Sequence, residues 1–438
     1  MPPSDSTFDT LLLSRHPPTH PALFAASPGL GGLLATDALV TLAELATAVV
    51  LPWWVATQGG TAAIAAYAIA VAATTLVAVL VASPLGDRFC KTTQMRFGLA
   101  GLCLALLALA ACASRPFALL PVLAFVVLKG ASRAFVEPPQ AAILPELVPA
   151  PCLPRAIRLQ RTSRAVSGVL GPLLAGALLA LASVPVAMLA CALLMLVAAI
   201  ASWVVPTRPG PQRAFRPRDW WRDLRSGARA KWGVPMERGW TLVNFVVWIF
   251  QGPAVGILVP LKVRSLGLAG DWLGIAVGAL SLGVLAGSFF GSDLLVRHFG
   301  RFRVRVGMGC LEGVCLAGVG LASSPAWMAA GLLVAGFCNA AMALVGATHR
   351  ALAIPQSHRV RMLASGTVST QVAGAIGPAL VGLALAHQPV AVVYAGFGVL
   401  MALSVLGLLL VPRFREFLEL GHADIEDWYV REYPHVFA

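Results

Sequence analysis

Charge is the scarcest property of this chain. Only 12% of its 438 residues are Asp, Glu, Lys or Arg, where soluble domains carry roughly a quarter. That deficit excludes an ordinary soluble enzyme. Short segments alternating polar and apolar residues are also missing, so an outer-membrane barrel, whose strands repeat every two residues, is not expected. The eight cysteines (Cys90, Cys103, Cys112, Cys152, Cys191, Cys310, Cys315 and Cys338) show no paired metal spacing. They lie in or beside apolar segments and read as small buried residues. No His-Glu metal pattern, nucleotide-binding loop or nucleophile elbow occurs. Neither an enzyme nor an ATP-driven pump is expected, and no cofactor or metal. Residues 1–29 are polar and rich in proline and histidine, without a basic segment leading to a cleavage site. They read as a cytoplasmic tail and not as a signal peptide.

What the chain has in abundance is apolar length. Hydrophobic residues make up 58% of it, and the mean hydropathy is +0.81. Apolar stretches of about 18 residues or more, the length that crosses a bilayer as a helix, recur throughout. Twelve spans are expected, at 31–52, 62–84, 95–114, 117–137, 157–180, 184–204, 241–260, 271–294, 304–323, 327–347, 363–386 and 389–411. The fold class is therefore an all-α polytopic membrane protein of two six-helix halves. Its expected parts are a tail (1–30), a first bundle (31–204), a basic linker (205–240), a second bundle (241–411) and a second tail (412–438).

Bases outnumber acids, 32 to 19, for a net charge of +13. In a soluble protein this balance would suggest nucleic acid. Here the bases gather in alternate connections, which the positive-inside rule assigns to the cytoplasm together with both termini. A nucleic-acid partner is not expected; the lipid bilayer is. Trp53, Trp54, Trp272 and Trp327 fall at the outer span ends and Trp203 and Trp240 at the inner ones, as an aromatic belt would have them. The linker carries nine bases, Lys231 among them, with Trp220, Trp221 and Trp232 interleaved. It reads as a segment lying on the anionic inner leaflet, or as a docking site. The second tail turns acidic and offers that linker a partner.

The halves repeat. A proline-punctuated turn at Pro145–Pro149 leads into an arginine-studded helix, in which Arg155 stands to Gly171-Pro172 as Arg361 stands to Gly377-Pro378 about two hundred residues later. So long a period fits a duplicated half and not a solenoid.

After the second span the chain reads Ser83-Pro84-Leu85-Gly86-Asp87-Arg88-Phe89-Cys90-Lys91, a charged latch in which Asp87 suits a helix N-terminus. Asp293, Arg297 and Arg301 stand at the corresponding place in the second half. This loop resembles the signature loop of the major facilitator superfamily, with Ser83 and Cys90 in place of two glycines. The stretch Ser167-Gly168-Val169-Leu170-Gly171-Pro172-Leu173-Leu174-Ala175-Gly176 resembles the superfamily's fifth-helix antiporter motif, with Gly168, Gly171, Pro172 and Gly176 retained. The turn at Pro145–Pro149, Val259–Leu268, His349–Pro355 and Arg361–Ala364 are similar to the enterobactin-exporter-like branch of siderophore exporters. A lysophospholipid-transporter branch shares the Pro-Glu-Leu-Val-Pro turn. The resemblance implies twelve helices with spans one, four, seven and ten around a cavity, export by antiport, and a bacterial inner-membrane address.

Charges inside spans are costly, about 2.5–3.5 kcal/mol each on insertion scales, so they mark function. Asp37 and Glu44 lie seven residues apart on span one, about 10.5 Å along one face, and are candidate proton carriers; solvation at the cytoplasmic end is the plainer account of Asp37. Lys129 and Arg133 are candidate substrate bases on span four, or rungs of a ladder with Glu137. Arg164 on span five lies too deep to reach water unaided and needs a carboxylate or an anionic ligand. Asn244, Trp248, Gln251, Asn339 and Gln371 are neutral candidates for cargo contact or for helix–helix hydrogen bonds. Glu312 on span nine has a possible partner in Arg305, two turns back, and otherwise no role.

The first half holds more deep bases than acids, which suits an anionic cargo. The expected function is proton-coupled export of a small anionic metabolite such as a siderophore, by a cofactor-free monomer. Multidrug efflux, lysophospholipid transport and a transport-dead sensor are the alternatives.

Overall fold

A chain this apolar meets no water in the bilayer core, so each backbone N–H and C=O must be satisfied within its own segment. Helices do that locally. The computed structural model describes residues 24, 27, 29–85, 90–148, 153–207, 225, 229–421, 424–425 and 428–437, and among them every regular element is helical. They are α1 (Leu30–Leu85), α2 (Lys91–Ala113), α3 (Leu119–Ala134), α4 (Glu137–Leu147), α5 (Leu153–Leu181), α6 (Val184–Ala201), α7 (Pro235–Val255) and α8 (Leu258–Ser265). There follow α9 (Gly270–Ala286), α10 (Ser292–Phe299), α11 (Arg301–Leu321), α12 (Pro325–Ala353), α13 (Gln356–Leu385), α14 (Val390–Leu406), α15 (Phe414–Glu419), α16 (Trp428–Glu432) and α17 (Pro434–Phe437).

Among the described residues ten helices are long and apolar enough to cross a membrane. The run Leu30–Thr75 counts once among them yet takes in the first expected span and most of the second. Their connection shrinks to a kink at Gly60, whose φ of 73° suits a residue without a Cβ. The fourth expected span ends early. α3 stops at Ala134 after 16 residues, and α4 carries the chain to Leu147 with Pro138 and Pro139 in the first turn, where a missing N–H costs nothing. Pro145, Glu146 and Leu147 thus close a helix instead of opening a turn.

The outer surfaces invert the soluble pattern: Leu181, Leu410 and Leu120 are 88%, 86% and 80% exposed. The residues divide into two compact units, one of 1–50 and 77–215 and the other of 51–76 and 216–438. In the first, α2 packs on α3 and α6; in the second, α11 packs on α12 and α14, and α7 on α13 and α14. The repeated Gly-Pro pairs do the same work in each. A Cβ on Gly171 would lie 2.7 Å from Leu45 Cβ and 3.1 Å from Leu42 O. One on Gly377 would collide with Ile249 O and meet Pro253. Both absences let α5 and α13 lie close on their neighbours.

Several expectations at the span ends need correcting. Trp203 and Trp327 are 71% and 74% exposed, as a belt requires, but Trp54 and Trp240 are 4% and 3% exposed. Trp240 is capped by the guanidinium of Arg350, 5.1 Å from the ring centroid, and meets Phe414 edge-on at 5.0 Å. Lys231 is 1% exposed and not on a surface. Among the described residues three acids of the last segment, Glu416, Glu432 and Glu419, pair with that segment's own Arg413 and Arg415, while most of the basic linker lies outside the described residues.

Candidate functional site

In the first unit, the buried face of α1 carries two acids and neighbouring helices bring their bases. Asp37 is 2% exposed, not solvated. Arg164 of α5 grips it with a two-pronged pair, Nε to Oδ2 at 2.7 Å and Nη2 to Oδ1 at 2.6 Å. The depth of Arg164 is thus answered by a carboxylate. Two turns on, Glu44 is 6% exposed and its Oε2 accepts Lys129 Nζ at 2.7 Å and Arg133 Nη1 at 2.8 Å. Arg133 also reaches Glu137 at 3.6 Å, so the intrahelical ladder exists, but as a secondary contact. Charge-assisted bonds this short are the strong kind.

The acids lie beneath and the bases above. Side-chain exposure is 42% for Arg164 and 51% for Arg133. Lys129, the deeper base, is spent on Glu44 and 15% exposed. What each cluster presents outward is therefore guanidinium. Thr36, Thr41 and Thr47 turn their hydroxyls back to carbonyls of their own helix, leaving no stray donor on this face.

The second unit solves the problem differently, with two rungs between α7 and α11. Asn244 Oδ1 accepts Arg305 Nη2 at 3.1 Å, and Arg305 Nη1 donates to Met342 O at 2.5 Å. Seven residues on along both helices, Gln251 Nε2 donates to Glu312 Oε1 at 2.6 Å, and Asn339 of α12 adds a bond of 3.1 Å to the same oxygen. The expected pairing of Arg305 with Glu312 is not made. Gln251 and Asn339 are tied to Glu312, while Trp248 is 42% exposed and Gln371 is half-buried without a side-chain hydrogen bond among the described residues.

A family model for the Major Facilitator Superfamily matches residues 33–311 and 241–419. The chain belongs to the major facilitator superfamily. No match is found among curated protein sequences. The fold is similar to that of a peptide transporter, POT, crystallised with sulfate, at 13% identity over 92% of this chain and 100% of that one, TM-score 0.70. It is also similar to a POT family transporter in complex with 5-aminolevulinic acid, at 12% identity over 90% and 97%, TM-score 0.68. A bacterial homolog of the human lysosomal transporter Spinster is similar at 14% identity over 91% and 97%, TM-score 0.64. This major facilitator protein is thus a multi-pass membrane transporter of small molecules, not an enzyme.

Of the superfamily latch, Asp87 and Arg88 lie outside the described residues, as does the side chain of Asp293. Lys91 pairs with Glu146. Arg297 is exposed, and Arg301 donates to Leu420 O at 3.3 Å, tying α11 to the last segment. In the antiporter-like stretch Gly171 makes the close approach already described, a Cβ on Gly168 would meet nothing within 4 Å, Pro172 lies inside α5, and Gly176 is buried.

One cluster escaped the sequence. Glu237, fully buried in the first turn of α7, takes Arg350 in a two-pronged pair at 2.7 and 2.6 Å and the Tyr429 hydroxyl at 2.7 Å. Burial works against the charge of Arg350, yet Glu237 outweighs it and raises its pKa. Beside them Lys231 Nζ is buried without a hydrogen-bond partner among the described residues. Burial first, and Arg350 second, lower its pKa to about 8. The signal was a lone acid at a span start, Glu237, but nothing in the order of residues points it at Tyr429, nearly two hundred positions away.

Proposed function

We propose that this transporter exports a small anionic metabolite such as a siderophore across the bacterial inner membrane, driven by protons and working by alternating access, with both termini cytoplasmic. One observation carries the choice of cargo: the clusters on α1, α3 and α5 turn guanidinium outward over buried carboxylates. An anion approaching Arg133 or Arg164 meets planar donors suited to carboxylate or hydroxamate oxygens. A cationic drug would meet like charge. Asp37 and Glu44 are the proposed proton carriers in this unit, and Trp248 and Gln371 the open contacts in the other.

The shared bases favour a second reading of direction. An anion bound at Arg164 competes with Asp37 for the same guanidinium, so that a proton on Asp37 and an anion on Arg164 can replace the pair together. Cargo and proton therefore favour one another here, as they do when both travel the same way.

The decisive measurement deletes the gene and compares secreted with retained metabolites by mass spectrometry under low iron. A siderophore retained in the cells is the expected result; unchanged partitioning sinks the cargo assignment in favour of a lipid or drug. In inside-out vesicles, Asp37→Asn or Glu44→Gln should remove the response of uptake to an imposed pH gradient. If both still respond as the parent does, the carriers lie elsewhere.

A further inference from the structure

The first unit ties both of its buried carboxylates to bases, and Glu312 is treated otherwise. It is 0% exposed in the middle of α11. Oε1 accepts two amides, and Oε2 is buried with no hydrogen-bond partner among the described residues. Glu44 also has a partnerless oxygen, but two cations touch its other one. An ionised carboxylate at Glu312 would sit in apolar surroundings held by neutral amides, a far costlier state than the neutral acid. The pattern fits a carboxylic acid: Oε1 as the carbonyl oxygen taking two donors, Oε2 as the hydroxyl.

Among the described residues no base makes an ion-pair contact with it. On α11, Arg305 gives its Nη atoms to Met342 O and Asn244, with Nε unpartnered among the described residues. Its charge reaches Glu312 only through space, without an ion-pair contact. Cys315 is a thiol, as is Cys338 on α12. The ionisable Arg350 of α12 lies eleven residues beyond Asn339, about 16 Å along the helix. α7 brings Gln251, and its Glu237 lies fourteen residues earlier, about 21 Å away. α14 brings Tyr394, whose hydroxyl donates to Ala254 O at 2.5 Å.

We infer that Glu312 is a proton-binding site of the second unit, loaded in this conformation and emptied when water reaches Oε2. The step is minimal: the O–H bond of the carboxyl breaks, the proton passes to water, and a carboxylate remains. Arg305, two turns or about 10.5 Å back on the same face, is the charge that the ionised form then faces. The inference rests on the proton-driven reading and deepens it. Exchange of cargo for protons needs a carboxylate whose protonation does not assist anion binding, and Glu312 shares no base with the guanidinium clusters.

The test needs no cargo. The full chain in liposomes is followed by infrared difference spectroscopy across pH, in H2O and D2O. A protonated-carboxyl C=O band that shifts in D2O is expected near neutral pH, lost in Glu312→Gln and kept in Asp37→Asn and Glu44→Gln. Absence of the band in the parent, or its survival in Glu312→Gln, overturns the inference. So does its disappearance when sodium chloride replaces choline chloride, which would make the site one for a metal cation. Should Glu312→Gln fail to fold, Glu312→Asp must displace the band, and an unmoved band is equally fatal. Because nothing is transported, failure here leaves the export reading to the metabolite comparison.

Discussion

In the first unit the acids Asp37 and Glu44 lie on α1, and arginine and lysine from α3 and α5 come to meet them. In the second unit the offset that carries Gly171 onto Gly377 takes Asp37 and Glu44 to within one residue of Asn244 and Gln251, which are amides. The charged residues have moved to α11, as Arg305 and Glu312, and the same offset returns these to Leu99 and Leu106, both fully buried. At these matched positions one half thus satisfies its polar interior with ion pairs and the other with amides, while the second half keeps its own buried pair, Glu237 with Arg350, at the start of α7. The difference teaches that a duplicated helical frame conserves where polar groups are needed while leaving open which helix supplies the charge. An ion pair whose base is exposed can let that base exchange its carboxylate for an anion. A carboxyl enclosed by amides has only its proton to exchange.

Substitutions can break this contrast, and the largest effect belongs to the ion pairs. Glu44→Gln strands two bases and should cost about 3 kcal/mol in a thermal or denaturant melt; the double variant Glu44→Gln/Lys129→Met should recover part of it. A loss no greater than that of a surface change would mean that the bases find water instead. Gln251→Leu removes the shorter of two donors to Glu312 and should cost about 1–3 kcal/mol by the same assay, the penalty of a buried acceptor half unsatisfied.

Lys231 asks whether the second unit also keeps a partnerless base close to neutrality. Its folded pKa, lowered to about 8 by burial and by Arg350, lies below the roughly 10.4 of an unfolded lysine. The unfolded chain therefore binds more protons between those values, and stability should rise with pH from about 8 upward. Lys231→Met should stabilise at pH 7 by about 1 kcal/mol, with the gain shrinking above about pH 8; a flat pH profile in the parent would contradict this. The smallest effect sharpens the contrast most. Glu312→Gln exchanges a neutral acid for a neutral amide and should stay within about 1 kcal/mol of the parent, where the chemically identical change at Glu44 does not.

Much of this was legible in the chain itself. Low charge, long apolar runs and bases gathered mostly in connections leave one class of structure, because a bilayer admits only segments that satisfy their own backbone. The repeated Gly-Pro pair announced both the duplication and the close packing, since the absence of a Cβ is a property of the residue alone. Arg164 announced its need for a counter-charge for the same reason: its cost in lipid does not depend on its neighbours. Which carboxylate would answer, and whether Glu44 would be shared by two bases, depended on how helices distant in sequence face one another. Glu312 looked like an oddity because its partners, Gln251 and Asn339, lie on other helices and carry no charge by which to be recognised. Lys231 passed for one more base of a solvated linker, and the bond from Tyr429 to Glu237 left no trace in either segment. Periodicity and composition report the energy of a residue with its solvent, and they decided the class, the spans and the places where polarity is expensive. Pairing is an energy between two residues brought together by folding, and so only the packed helices decided which charges are matched and which stand alone.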